Sequence, residues 1–384
     1  MAHIVIAGSG FGGLTAALQL KKQLKNTDHR ITVISRDPVF IYRPSLVLVA
    51  FGKKSPQSIT FDLAPIYRKV GIDFVHTTIE SIDPDSKMIA TSDGSLTYDK
   101  VIVALGEKLN YDEIPGLNQY GYNVCSVDGA LALKSALEHF KGGPIVVGWS
   151  QFVQTGGPAF EVALELEAWL RHHHLEGKIQ FIDPLPSLWA PAGPEATKVL
   201  TRIFSERGIT RFGPVQVKEV QADRVILKDG QVLPSVLTVV TPPFRGEDAQ
   251  SRLAGTESRG WLQTEKDMRS VQYPDVYVTG SAVAFEGPKQ AHTAMLQAEV
   301  AAHNLALELN GSSAPRQEYD HEMSCVLDLG KGQGLFVRRS LWSKQHQDLR
   351  VGRKWPLAKS ALAYAFVHTP LFKQWGISMS KLNP

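Results

Sequence analysis

Cysteine is nearly absent: two in 384 residues, Cys125 and Cys325. Two thiols 200 positions apart cannot build the disulfide framework of a small secreted fold. No run of about 18 apolar residues occurs, so no helix is expected to span a bilayer. The opening Met1-Ala2-His3 leads directly into an apolar stretch, and no secretory leader is expected. A reducing, cytoplasmic setting fits these absences. Acid is also missing from one region. Residues 331–384 carry ten Lys and Arg against Asp348 alone, a balance of +9, while the remainder carries −6. Such a tail is expected to meet an anionic partner. Nucleic acid is not that partner, because no nucleic-acid-binding motif accompanies the charge. The three consecutive histidines 172–174 cannot converge on one ion from a helix, and no metal is expected.

What is present is glycine in a particular order. "HIVIAGSGFGGLTAALQLKK" (3–22) reads as a strand, a glycine turn and a helix. A continuous apolar run through Ile4–Ala7 suits a strand buried on both faces. In Gly8-x-Gly10-x-x-Gly13 the first glycine permits the tight turn. The second lets backbone approach a diphosphate, and the third lets helix and strand close up. Set between a strand and a helix, the motif predicts a dinucleotide held on the amides at the helix start. The next strand, "RITVISRD", ends on Ser35 where an acid gripping ribose is usual, and Asp37 stands nearby. "DKVIVALG" predicts a strand closing on Gly106, where backbone passes a bound cofactor.

The pattern then repeats. "GPIVVG" (143–148) reads as a second first-strand. Asp229-Gly230 echoes Asp93-Gly94 as a hairpin signal, and "SVLTVVTPPFRG" echoes "DKVIVALG". A late strand, "YPDVYVTG", brings Gly280, and a helix over "TAMLQAEVAAHNLALEL" returns to the first unit. The class is therefore α/β: two tandem Rossmann-like three-layer domains, the second inserted in the first, plus a C-terminal amphipathic helical tail. The expected boundaries are 1–110 with 255–325 for the first domain, 111–254 for the second and 326–384 for the tail. In the second unit eight positions separate Gly148 from Gly156-Gly157, which argues against a second dinucleotide. Pro158 opens the following helix, and Glu161 is expected in its first turn.

Together the segments "HIVIAGSGFGGL", "GPIVVG", "GGPAFE", "PPFRG", "GPKQAHTAMLQAEVAAHNL" and "SCVLDLGKGQGLFV" resemble the sulfide:quinone oxidoreductases. These are two-dinucleotide-fold flavoproteins related to flavocytochrome c sulfide dehydrogenase and type II NADH dehydrogenase. The resemblance implies FAD along the first fold, with Gly8, Gly10 and Gly13 at its diphosphate, Ser35 near its ribose, and Gly106 and Gly280 behind it. Ser281 replaces a customary acid. Cys125 matches a position where some members tether the flavin covalently; the alternative is a small buried hydrophobe.

The family's sulfide chemistry uses a cysteine pair at the flavin. Cys325 matches one member, and Thr155 stands at the other, where a hydroxyl cannot exchange a disulfide. Two family histidines fall on Gly129 and near Pro191. Cys325 alone is left to carry sulfur, or to pack as a relic. Glu161 matches a family glutamate near the flavin ring, which implies a proton relay to quinone, its alternative being a carboxylate at a helix start. Lys289 matches a lysine near the flavin pyrimidine and quinone pocket. Gln290 and Gln297 resemble quinone-site glutamines of type II NADH dehydrogenases.

In the tail, "WPLAKSALAYAFV" and "TPLFKQWGISMSKL" predict two short helices parted at Thr369-Pro370. Their Trp, Leu and Phe residues among basic ones suit a segment lying on a membrane. The implied function is transfer of two electrons from a small sulfur donor through FAD to membrane quinone, on the inner face of the membrane. The alternatives are a type II NADH:quinone dehydrogenase-like enzyme and a flavoprotein kept for sulfur carriage or binding. The resemblance also admits a homo-oligomer.

Overall fold

The computed structural model describes residues 1–253 and 259–369. Its first sheet is five-stranded and parallel, in the order Val276–Val278, Lys100–Val103, His3–Ala7, Arg30–Ser35, Asp73–His76. Alternation explains why its first strand is apolar throughout. Ile4 and Ile6 join the core beneath the helices, while Val5 and Ala7 join a separate core with Ile82 and Ile89. Those last two belong to an antiparallel meander, Ile79–Asp83, Met88–Thr91 and Gly94–Thr97, covering the other face. Helices Phe11–Gln23 and Ala291–Leu309 cover the first face and pack on each other.

The second domain repeats the plan. Its parallel order is Gly121–Tyr122, Leu237–Thr241, Gly143–Trp149, Gly177–Ile182, Thr210–Phe212. Ile145 and Val147 face the helix side, and Val146 meets the meander through Val217, Val225 and Leu227. The chain enters and leaves along two paired antiparallel strands, Glu107–Leu109 and Phe244–Gly246. That pairing makes the second domain an insertion in the first.

The C-terminal part differs from expectation. Cys325 lies on a strand, Glu322–Asp328, of an antiparallel sheet completed by Gly334–Ser340 and Gln347–Gly352. The strand spans the position expected for the domain boundary. One tail helix follows, Lys354–His368, and it ends before Thr369. The second predicted helix lies outside the described residues. Much of the tail's aromatic content is core: Trp355 stacks on Phe336 at 4.4 Å, and Phe366 packs among Phe11, Phe40, Tyr42 and Phe61. Exposed apolar side chains remain at Trp342, Leu357 and Tyr364.

Candidate active site

The first glycine turn has the shape its spacing predicts. Gly8 takes φ +101°, and a Cβ there would lie 2.4 Å from the Ala104 carbonyl oxygen. A Cβ on Gly13 would lie 2.0 Å from the Gly8 carbonyl oxygen, so strand and helix touch backbone to backbone. Gly12 is equally constrained, with Thr279 Oγ1 2.3 Å from a Cβ placed there. Over Gly10 and Gly106, by contrast, nothing lies within 4 Å. The helix start at Gly10 has no side-chain cap and no acid in its first turn. Unmet amides, open space and no competing negative charge fit a diphosphate. The residues present therefore suit a dinucleotide. Ser35 closes its strand as expected, buried, and its hydroxyl donates to the Asp37 carbonyl oxygen at 2.9 Å.

The second glycine loop is closed. The Trp149 ring would lie 2.7 Å from a Cβ on Gly156, and the Ile182 carbonyl oxygen 1.9 Å from one on Gly148. Buried Gln151 ties the loop down by bonding both N–H and C=O of Val217. The Trp149 indole packs on this loop, and Gln151 joins it to the strand at Val217.

Lys289 is buried against the first domain's late loop. Its ammonium donates to the carbonyl oxygens of Ser281 and Val283, both at 2.6 Å, and lies 3.5 Å from the Trp261 ring centroid. Burial pulls its pKa from 10.5 down to about 7, although the nearby Glu107 carboxylate opposes the shift. Lys289 also helps depress His321, which burial chiefly holds at about 4. Thr155 donates its hydroxyl to the Lys289 carbonyl oxygen, and the Lys289 amide bonds Gln154 at 2.9 Å. Thr155, which the resemblance sets against a second cysteine, is thereby joined to this lysine.

Cys325 faces the opening of the second domain's helix, Gly157–His172. Leu327, on the same face of the strand, is 3.9 Å from a Cβ placed on Gly157, as the two-residue period of a strand requires. Burial pushes the Cys325 thiol up to about 12; Lys359 draws it down and Glu161 pushes it further up. Glu161 departs from expectation. It sits in the second turn of its helix, buried, and its carboxylate accepts from the Asp328 amide at 2.8 Å and from the Lys359 ammonium. It is held by tertiary partners rather than by the helix dipole. Burial disfavours the Lys359 charge, but Glu161 outweighs it, and the lysine's pKa is raised.

Gln297 departs as well. Its side-chain oxygen accepts from the Gly280 amide at 2.8 Å, so it braces the glycine turn rather than facing open space. Cys125 lies just before helix Val127–His139, and its amide bonds the Asn123 side chain at 2.9 Å. Burial raises its thiol to about 12; Glu107 adds to the rise, and Arg43 and Thr241 oppose it. Glu107, paired to Arg43 at 2.8 Å, thus stands near both Cys125 and Lys289. Sequence reasoning missed Glu107, Lys359, Asp328 and Trp261. The one signal for Lys359 was its position as a charge inside "WPLAKSALAYAFV".

A sequence profile of the pyridine nucleotide-disulphide oxidoreductases matches residues 2–298. The chain belongs to this family. It is an FAD-dependent oxidoreductase, and among its relatives is the sulfide-quinone reductase of Aquifex aeolicus. That protein is 28% identical over 362 residues, which span 87% of this chain and 83% of the relative. The X-ray structure of the Aquifex aeolicus sulfide:quinone oxidoreductase superposes with a TM-score of 0.89 at 24% identity, covering 98% of this chain and 92% of that one. A type II NADH:quinone oxidoreductase of Staphylococcus aureus is 23% identical over 367 residues, 89% of this chain and 91% of the relative.

Proposed function

We propose that this oxidoreductase passes two electrons from a small sulfur donor to a membrane quinone, with Cys325 as its single sulfur-handling thiol. The observation that carries the reading is the convergence of Cys325, Glu161 and Lys359 beside a chain that also folds an intact first glycine turn. FAD would supply the two-electron acceptor, with Gly8, Gly10, Gly13 and the amides opening helix Phe11–Gln23 holding its diphosphate.

The protein's own groups divide the remaining work. Lys359 stabilises the Cys325 thiolate, since the thiolate and not the thiol is the nucleophile. Joined to hydrosulfide, Cys325 becomes a persulfide: one S–S bond forms, one S–H proton leaves, and two electrons pass on to quinone. Glu161 receives the proton. Lys289, which the resemblance sets near the flavin pyrimidine, would supply a titratable ammonium there, and a cation stabilises developing negative charge. Cys125 is positioned by the resemblance as a covalent anchor, and its nearness to Glu107 supports a place at the same site.

Quinone requires the bilayer, and the docking surface we assign is the outer face of helix Lys354–His368. Leu357, Ala361 and Tyr364 line one exposed stripe of that helix, with Lys354 and Arg353 at its start. No described helix is long and apolar enough to cross a membrane. The attachment we assign is peripheral, on the cytoplasmic face.

Anaerobic stopped-flow mixing of the FAD-loaded protein tests the donor. Sulfide should bleach the flavin in the parent and fail to do so in Cys325→Ser. Bleaching by NADH with none by sulfide would replace this reading with an NADH:quinone dehydrogenase.

A further inference from the structure

Two cavities meet at one carboxylate. An open cleft of about 770 Å³ runs between the turn after Leu46–Ala50, helix Val127–His139 and helix Gly157–His172, and its walls include Lys53, Glu138, Glu165 and Trp169. A smaller cavity of about 30 Å³ is bounded by Lys54, Glu161, Glu165, Asp328 and Lys359. Glu165 belongs to both walls. Its side chain is 7% exposed, and its one ion-pair partner among the described residues is Lys53, at 2.6 Å, half exposed in the cleft.

Spacing makes the connection specific. Glu161 and Glu165 are four apart on one helix, so they share a face but lie about 5–6 Å apart at Cβ. That exceeds a direct hydrogen bond. The smaller cavity spans the gap and exceeds the volume one water needs, about 10–15 Å³, with polar groups around it. At its inner end Glu161 is paired to Lys359 and accepts from the Asp328 amide of the Cys325 strand, whose Cys325 side chain shares with Leu327 the face turned to this helix.

We propose that Glu165 is the outer relay of a proton path joining solvent in the open cleft to the Cys325 thiol, by way of the smaller cavity and the Glu161–Lys359 pair. The path deepens the sulfur-handling role of Cys325 and rests on it. In the outward direction the S–H bond breaks and an O–H bond forms on Glu161. Glu161 passes that proton to a cavity water, the water passes one to Glu165, and Glu165 releases it to the cleft. Both carboxylates return to their starting form, one proton has left, and the thiolate faces the Lys359 ammonium. No electrons move. The charged groups facing this path are Glu161 and Glu165 from helix Gly157–His172, Lys359 from helix Lys354–His368, Asp328 from the Cys325 strand, and Lys53 and Lys54 from the turn. Glu165 acts through Glu161.

The test reads the thiol itself. In FAD-loaded, oxidised protein the S–H stretching band of Cys325, identified as the one lost in Cys325→Ser, converts to S–D after rapid transfer into D2O. A positioned proton carrier is worth about a hundredfold or more, so Glu165→Gln should slow that conversion by at least about tenfold. Glu165→Asp should restore it, and Glu138→Gln, on the rim of the same cleft, should exchange like the parent. Unchanged exchange in Glu165→Gln, or equal slowing by Glu138→Gln, would overturn the path. Where the glutamine variant does not fold, Glu165→Asp against Glu165→Asn makes the same comparison. No donor or quinone enters the measurement, so a wrong donor assignment leaves its outcome readable.

Discussion

Removing the Lys289 ammonium should change how stability depends on pH, with a calculable sign. The side chain is buried and its pKa is about 7 instead of 10.5. That drop corresponds to about 5 kcal/mol between charged and neutral forms. The unfolded chain binds this proton up to pH 10.5, whereas the folded chain loses it from about pH 7. Between those values the unfolded state holds more protons, so stability rises with pH. The cost of burying the charge is about 4 kcal/mol at pH 7 and falls to about 2 kcal/mol at pH 9. In Lys289→Met this gain of about 2 kcal/mol should vanish. The absolute stability of the variant is a poorer guide, because the Ser281 and Val283 carbonyls lose their donor and each costs about 1–3 kcal/mol. Urea denaturation of flavin-free parent and variant at pH 7 and 9 isolates the difference. Equal pH slopes in both proteins would refute the reasoning.

Other expectations follow from single contacts. Burial tends to raise the Glu322 pKa, but His292 at 3.0 Å and Arg338 at 3.0 Å outweigh it and hold it at about 2. Its stabilisation, about 3 kcal/mol, is present above the ordinary value of 4.5 and is lost as pH falls through 2. Acid unfolding of Glu322→Gln should accordingly show a shallower slope between pH 4 and 2 than the parent. Gly13→Ala must push the helix off the Gly8 carbonyl oxygen, and flavin titration should show its FAD affinity reduced by about a hundredfold or more, close to 3 kcal/mol. Thr155→Cys should install a second thiol near Cys325; after oxidation with polysulfide, mass spectrometry should find the two residues joined through sulfur, and two separate free thiols would count against the site geometry.

The doubly wound core was readable because each strand announces two-sided burial. Ile4–Ala7 and Ile145–Val147 are apolar throughout, and alternate residues do enter opposite cores. Gly8 and Gly13 were readable for the same reason: their spacing answers a steric demand that the turn then makes, while Gly10 leaves the helix start open. The C-terminal sheet was not, since "EMSCVLDL" and "GLFVRRS" pair across a turn without any strict alternation of polar and apolar residues. The aromatic tail also misled. A Trp or Phe suited to a lipid surface suits a core equally well, and Trp355 and Phe366 took the core. Glu161 shows a further limit. Its distance from the helix start could be counted, but its partners Asp328 and Lys359 arrive from 167 and 198 positions away. No local pattern records such a meeting.

Quinone-dependent consumption of sulfide by the FAD-loaded protein, compared between parent and Cys325→Ser, bears most directly on the central claim. The parent should couple quinol formation to sulfide loss and leave an extra sulfur on Cys325, while the serine variant should do neither. Equal quinol formation in the two proteins would contradict the account.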